Sequence, residues 1–221
     1  MILYHGSANI IEQPIYHGGK ENNDYGFGFY CTENADLAKE WACTNNETNG
    51  YANKYELDVS GLTVLDLTDD AYSVLNWMAV LLKFRKFDID SEIAKEAKQY
   101  LVRHFYIDVS KYDVVIGYRA DDSYFKFARD FISNTISVQK LAEAMALGKL
   151  GKQVVLISER AHMALQYLSS EAADHKIYYT KRIARDQQAR ETYRNSHTDA
   201  LSGLFVRDII NKGLKNGDKI I

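Results

Sequence analysis

A chain of 221 residues with 46% apolar and 26% charged residues is long enough for one globular domain, residues 1–221, around a sizeable core. Its formal net charge of −3 excludes the global basic field of a tight, nonspecific nucleic-acid binder. No window approaches the ~20 apolar residues of a membrane span, and no signal-peptide pattern opens the chain, so no membrane partner and a cytoplasmic location are expected. The two cysteines, Cys31 and Cys43, have neither metal-ligand nor disulfide-framework spacing, so no metal is expected. One proline, Pro14, and the lack of a Gly/Ser-rich or Pro-rich stretch argue against a linker.

In chain order, Met1–Tyr4 reads as a short strand, and His5–Asn23 as a loop rich in turn formers. Phe29–Thr32 is a second strand. Asn34 is placed as an N-cap, with Asp36 in the first turn of a helix on which Ala35, Ala38, Trp41 and Ala42 share a face. Tyr51–Asp58 and Leu62–Leu67 read as strands joined at Ser60-Gly61. The apolar spacing predicts helices over Ala71–Phe87 and, capped by Ser91, up to Phe105. Asp113–Tyr118 and Gln153–Ile157 are valine- and isoleucine-rich strands, with helices over Asp122–Ile132 and Ser137–Leu147 between them. Ser158 then caps a helix over Glu159–Leu168, and Lys176–Thr180 reads as a last strand. A charged helix, Lys181–Arg194, and an amphipathic one, Thr198–Lys212, make the segment from about 181 helical. Short strands interleaved with peripheral helices, without the regular alternation of a doubly wound sheet, give an α+β class.

The stretch that invites a function is Asp24–Trp41, DYGFGFYCTENADLAKEW, together with Tyr4–Ser7, YHGS. Gly26 and Gly28 interrupt an aromatic run ahead of Tyr30. Glycine permits positive φ or a close approach of backbone to a ligand, and such a run suits a pocket for a flat ring. It equally suits a turn before a buried strand. No Walker-type phosphate loop, zinc spacing or nucleophile elbow is present. The basic residues Lys181, Arg182, Arg185, Arg190 and Arg194 are interrupted by Asp186 and Glu191, which fits a solvated helix face better than a nucleic-acid surface.

Taken in order, the His-Gly at the end of the first strand, the GFGFY run and the helix bearing Trp41 resemble the dinucleotide pocket of the ADP-ribosyltransferases, in the diphtheria-toxin-like and poly-ADP-ribose-polymerase-like clade. The resemblance is closer to an uncharacterised bacterial family of that clade. It extends through YRADDSYF (Tyr118–Phe125), GKLGKQVVL (Gly148–Leu156) and YYTKRIARDQQAR (Tyr178–Arg190), and so covers most of the chain.

This resemblance implies split, mostly antiparallel sheets flanking a cleft. It also implies NAD+ as substrate, cleaved between nicotinamide and ribose. His5, Gly6 and Ser7 would then bind the dinucleotide: His5 at a ribose hydroxyl, and Gly6 by its backbone at the carboxamide. Tyr30 would stack on the nicotinamide ring and Trp41 would cover its other face or edge, although a tryptophan on that helix face is also an ordinary core residue. Ala38 stands where polymerase-like members carry Ser or Thr, so one carboxamide contact is missing or comes from elsewhere.

Gln153 occupies the strand-start position of the usual glutamate. A glutamine keeps an acceptor oxygen but loses the charge, and charge-assisted hydrogen bonds are about twice as strong as neutral ones. Within the superfamily that the chain resembles, this replacement implies single transfer rather than chain elongation, or lost activity. Asp121 and Asp122 are the carboxylates expected to assist, with Asp122 equally suited to cap the following helix. Glu159 suits a helix first turn, and Arg119 and Tyr124 flank the aspartates as candidates for phosphate or substrate contact.

The expected activity is mono-ADP-ribosyl transfer to an unidentified acceptor (protein, nucleic acid or small molecule), in a bacterial toxin or phage-defence setting with a neutralising partner protein. The helical C-terminal third is a candidate docking surface for that partner. The alternative is a non-catalytic module of the same fold that senses NAD+ or a derived nucleotide. A transferase acting on an RNA 2′ position is a third reading, disfavoured by the charge balance.

Overall fold

The computed structural model describes residues 1–120, 122–147, 151–195 and 203–220. Its architecture is α+β, with two sheets. Strands β1 (Ile2–Ser7), β3 (Gly50–Leu57) and β7 (Leu165–Ala173) form an antiparallel sheet in the order β1-β3-β7. Strands β2 (Phe29–Cys31), β4 (Val64–Asp66), β5 (Val114–Tyr118) and β6 (Lys152–Leu156) form the other, in the order β2-β6-β5-β4. Its pairs are antiparallel except β4–β5, which is parallel.

The sheets are joined where Tyr4 N–H donates to the Thr32 carbonyl at 2.7 Å and Thr32 N–H returns a bond to Tyr4 at 2.9 Å.

Strand alternation explains the apolar runs in β5 and β6, because successive side chains point to opposite faces. Val114, Val154 and Leu156 join Leu3, Phe29, Tyr55 and Leu57 in one core. Val115 and Val155 instead enter a larger core with Trp77, Phe105, Phe127 and Phe131. That larger core is built by helices α2 (Val74–Phe84), α3 (Glu92–Phe105), α4 (Asp122–Ile132) and α5 (Val138–Leu147). A strand buried on both faces needs no polar alternation, which is why these two read as continuous hydrophobic runs.

Helix α1 (Ala35–Ala42) begins at Asn34, whose side chain accepts from Leu37 N–H as an N-cap should. It packs on β1 and β3, and Gly6 makes that packing possible. A Cβ on Gly6 would fall 1.9 Å from the Ala38 carbonyl oxygen. Among the described residues no helix is long and apolar enough to cross a membrane.

Three expectations are corrected. The helix over Glu159–Leu168 stops early: α6 covers Glu159–Met163, and β7 begins at Leu165. The spacing of Ala161, Leu165 and Leu168 fits a helix locally, but pairing with β3 along its whole length decides the outcome. Lys176–Thr180 is no strand; it lies in α7 (His175–Asn195), so the C-terminal helical segment starts at His175 rather than about 181. There the β-prone Tyr178 and Tyr179 both pack against the cluster of Ala42, Cys43 and Ala173. The helix expected over Thr198–Lys212 is α8 (Val206–Asn211) in its described part; 196–202 lie outside the described residues.

Candidate functional site

A cleft of about 560 Å³ opens beside the junction of the two sheets, within the size range of small-molecule sites. His5, Gly6, Tyr30, Trp41 and Gln153 all line it. These residues come from β1, β2, α1 and β6, so only the folded chain brings them together. Ser7 is absent from that lining; its hydroxyl accepts from Asn9 N–H at 3.0 Å and closes a local turn. Asp121 lies outside the described residues, and Asp122 is described only as the first residue of α4; the Tyr124 side chain is outside them too. Glu159 sits in the first turn of α6, away from the cleft lining, where its charge complements the helix dipole.

His5 Nδ1 lies 2.7 Å from the Tyr30 carbonyl oxygen. A carbonyl only accepts, so the network assigns the proton to Nδ1 and leaves Nε2 as an acceptor. Burial lowers the imidazole pKa, against a smaller raising effect of the Tyr30 bond. The ring is therefore neutral near pH 7 and stacks on Phe29 at 4.3 Å between centroids.

Tyr4 turns both its backbone groups to Thr32, at the edge of β1 away from β3. Alternation turns those of Gly6, two residues on, to the same edge. Gly6 thus presents an N–H and a C=O on the cleft side, the donor–acceptor pair that a carboxamide needs.

Tyr30 is fixed at its far end. Its hydroxyl donates to the Gly26 carbonyl at 2.8 Å and accepts from Tyr25 N–H at 3.0 Å, which orients the ring rigidly. Burial raises the phenol pKa, so it stays protonated. The Arg119 guanidinium lies over the Trp41 ring, 4.5 Å from its centroid, in cation–π geometry.

Two residues to which the sequence assigns no role join the cleft. Asp24, 5% exposed, accepts from Ala120 N–H at 2.9 Å and from Gln153 Nε2 at 3.4 Å, with Arg85 Nε 3.6 Å away. Burial raises its pKa, and the Ala120 bond, Arg85, Arg119 and Gln153 act against that. Arg85 follows the last residue of α2 and also lines the cleft. A charged residue embedded in the aromatic DYGFGFY run was the available clue to Asp24; nothing local distinguishes Arg85 from an ordinary solvated helix-end cation.

Two buried polar atoms in this lining, Trp41 Nε1 and Gln153 Oε1, have no hydrogen-bond partner among the described residues. Such an orphan costs about 1–3 kcal/mol, and native proteins keep few of them. A donor and an acceptor left unpaired on residues that line one cleft suit a polar ligand. Among the described residues no three His, Cys, Asp or Glu side chains gather as a metal site requires.

The cleft as a whole combines aromatic walls, a neutral imidazole acceptor, a strand-edge donor–acceptor pair, a buried carboxylate and two arginines. No curated protein and no solved structure gives a significant match to the chain. A family model described as "Protein of unknown function (DUF3990)" matches residues 1–167, and the chain belongs to that family.

Proposed function

We propose that this chain is a mono-ADP-ribosyltransferase-like protein that binds NAD+ in the cleft and transfers one ADP-ribose to an acceptor. The observation that carries the reading is the convergence of His5, Gly6, Tyr30 and Trp41 on one cavity, from three separate elements. Two sheets meeting at a cleft also agree with the ADP-ribosyltransferase-like architecture that the sequence resembles.

In the reaction, the bond between ribose C1′ and the nicotinamide nitrogen breaks, and its electron pair leaves with neutral nicotinamide. The positive charge passes from the pyridinium ring to an oxocarbenium-like ribose, the same electrostatic problem as in glycoside hydrolysis. The acceptor then forms the bond to C1′ and loses its proton to solvent. Tyr30 and Trp41 hold the ring, the Gly6 backbone takes the carboxamide, and His5 Nε2 accepts from a ribose hydroxyl. Arg85 and Arg119 suit the pyrophosphate.

The test is nicotinamide release by the purified protein given NAD+ and host lysate, with mass spectrometry for an added ADP-ribosyl unit. Release and labelling by wild type, lost in Tyr30→Ala and Trp41→Ala proteins that keep their circular dichroism, are expected. A second reading, an NAD+-sensing module, is favoured by the neutral Gln153 at the strand start. Binding that depends on Tyr30, with no release under any condition, would establish it instead.

A further inference from the structure

Gln153 and Asp24 form a contact that changes the meaning of the missing strand-start carboxylate. The Asp24 carboxylate only accepts hydrogen bonds, so the Gln153 amide must turn its Nε2 toward it, as the 3.4 Å contact has it. That fixes the amide's other end: Oε1 faces away from Asp24 and remains an acceptor without a partner among the described residues. The acceptor oxygen and the negative charge that a glutamate would combine are here on two adjacent side chains, 4% and 5% exposed, from β6 and from the loop before β2. Both line the cleft.

We propose that Asp24 and Gln153 act as a split pair, in which Gln153 Oε1 accepts from a ribose hydroxyl and Asp24 supplies the charge that stabilises the oxocarbenium-like ribose. This rests on the transferase reading above. Asp24 takes no proton in the step: the C1′–N electron pair leaves with nicotinamide, the cation develops on the ribose, and the carboxylate attracts it electrostatically. A carboxylate whose Oδ2 accepts from both Ala120 N–H and Gln153 Nε2, with Arg85 Nε 3.6 Å from Oδ1, needs no reorganisation as that charge appears, which is the condition for a large electrostatic effect. Arg85, 3.6 Å from Asp24, favours the ionised carboxylate and so acts against the effect of its burial.

The experiment compares wild type, Asp24→Asn and the double variant Asp24→Asn/Gln153→Glu, measuring kcat, KM, NAD+ affinity by calorimetry, and thermal melting. Asn keeps the shape, and its one oxygen can still accept from Ala120 N–H and Gln153 Nε2, so the variant removes the charge and exchanges only the oxygen facing Arg85 for an NH2. We expect kcat to fall on the order of 100-fold with NAD+ affinity changed only a few-fold, because removing one preorganised group costs about that much. The double variant returns a carboxylate to the neighbouring side chain and is expected to recover at least tenfold of that loss. A merely structural Asp24 predicts the opposite pattern, with lowered melting and no recovery. If Asp24→Asn melts early, Asp24→Ser, which retains an acceptor for Ala120, takes its place.

Asp24→Asn retaining kcat within threefold overturns the split pair while leaving the transferase reading intact. So does a double variant that folds and binds NAD+ but recovers nothing. Wild type that releases no nicotinamide overturns both.

Discussion

Replacing Gly6 by alanine tests whether the close approach of α1 to β1 builds the cleft. The added Cβ would lie 1.9 Å from Ala38 O, 2.8 Å from Ala42 N and 2.9 Å from Ala38 C, all backbone atoms of one helix. A relaxed carbon–oxygen contact is about 3.3 Å, so α1 must retreat by roughly 1.4 Å. No side-chain rotation can relieve this, since backbone is the obstacle on both sides. Overpacking of this kind costs typically 1–3 kcal/mol, and the rigid obstacle places Gly6→Ala at about 3 kcal/mol. For a chain of this length that is a fall in Tm of about 6–12 °C.

The retreat also displaces Trp41, so if NAD+ binds in the cleft as proposed, its affinity falls at least tenfold. The control is Gly61→Ala, where φ is +75° but no atom lies within 4 Å of the new Cβ. Its cost is backbone strain alone, about 1 kcal/mol, or about 2–4 °C. Calorimetric melts of both variants, with NAD+ titrations on each, decide the matter. A Gly6→Ala protein that melts no lower than Gly61→Ala would refute the reasoning.

Two further outcomes are expected. Glu40, 2% exposed, is held by Arg185 through bonds of 2.7 and 2.8 Å that tie α7 to α1. Arg185→Ala strands that carboxylate and should destabilise by about 3–5 kcal/mol, while Glu40→Gln/Arg185→Met recovers most of the loss in urea unfolding; equal loss in both variants would contradict the assignment.

Asp113 accepts from Ser158 Oγ at 2.6 Å and from Thr63 N and Oγ1 at 2.7 and 2.8 Å, with Arg160 at 3.0 Å. These bonds, the Ser158 hydroxyl first, hold its pKa below the ordinary value. A depressed folded-state pKa contributes stability that is present above the unfolded value, near pH 4, and is lost as pH falls through the folded one. Asp113→Asn should therefore lose about 2 kcal/mol at pH 7 and show a shallower fall in urea midpoint between pH 7 and pH 3 than wild type; parallel pH profiles would count against this.

Local chemistry made much of the fold legible. Asn34 and Ser91 cap the helices they were expected to cap, and the valine runs of β5 and β6 are strands because little else tolerates burial on both faces. Where the reading failed, distant pairing or packing overrode a local preference. The residues after Met163 become a strand through β3, more than a hundred positions earlier. Tyr178 and Tyr179 of α7 are helical because both pack against Ala42, Cys43 and Ala173.

The same division holds for the candidate site. By itself the sequence determined the residue types: an aromatic at position 30, a histidine–glycine pair ending the first strand, a tryptophan on the next helix, and glutamine rather than glutamate at position 153. Each follows from short-range pattern, because caps, alternation and glycine placement act within a few residues. Only the tertiary structure decided that these side chains share one cleft, that Asp24 and Arg85 join them, and that Ser7 does not line it. The Asp24–Gln153 contact spans 129 positions, and no periodicity along the chain encodes a distance of that kind. It exists because the loop before β2 folds back on the strand that β2 pairs with, and β2–β6 pairing is settled only when both cores close.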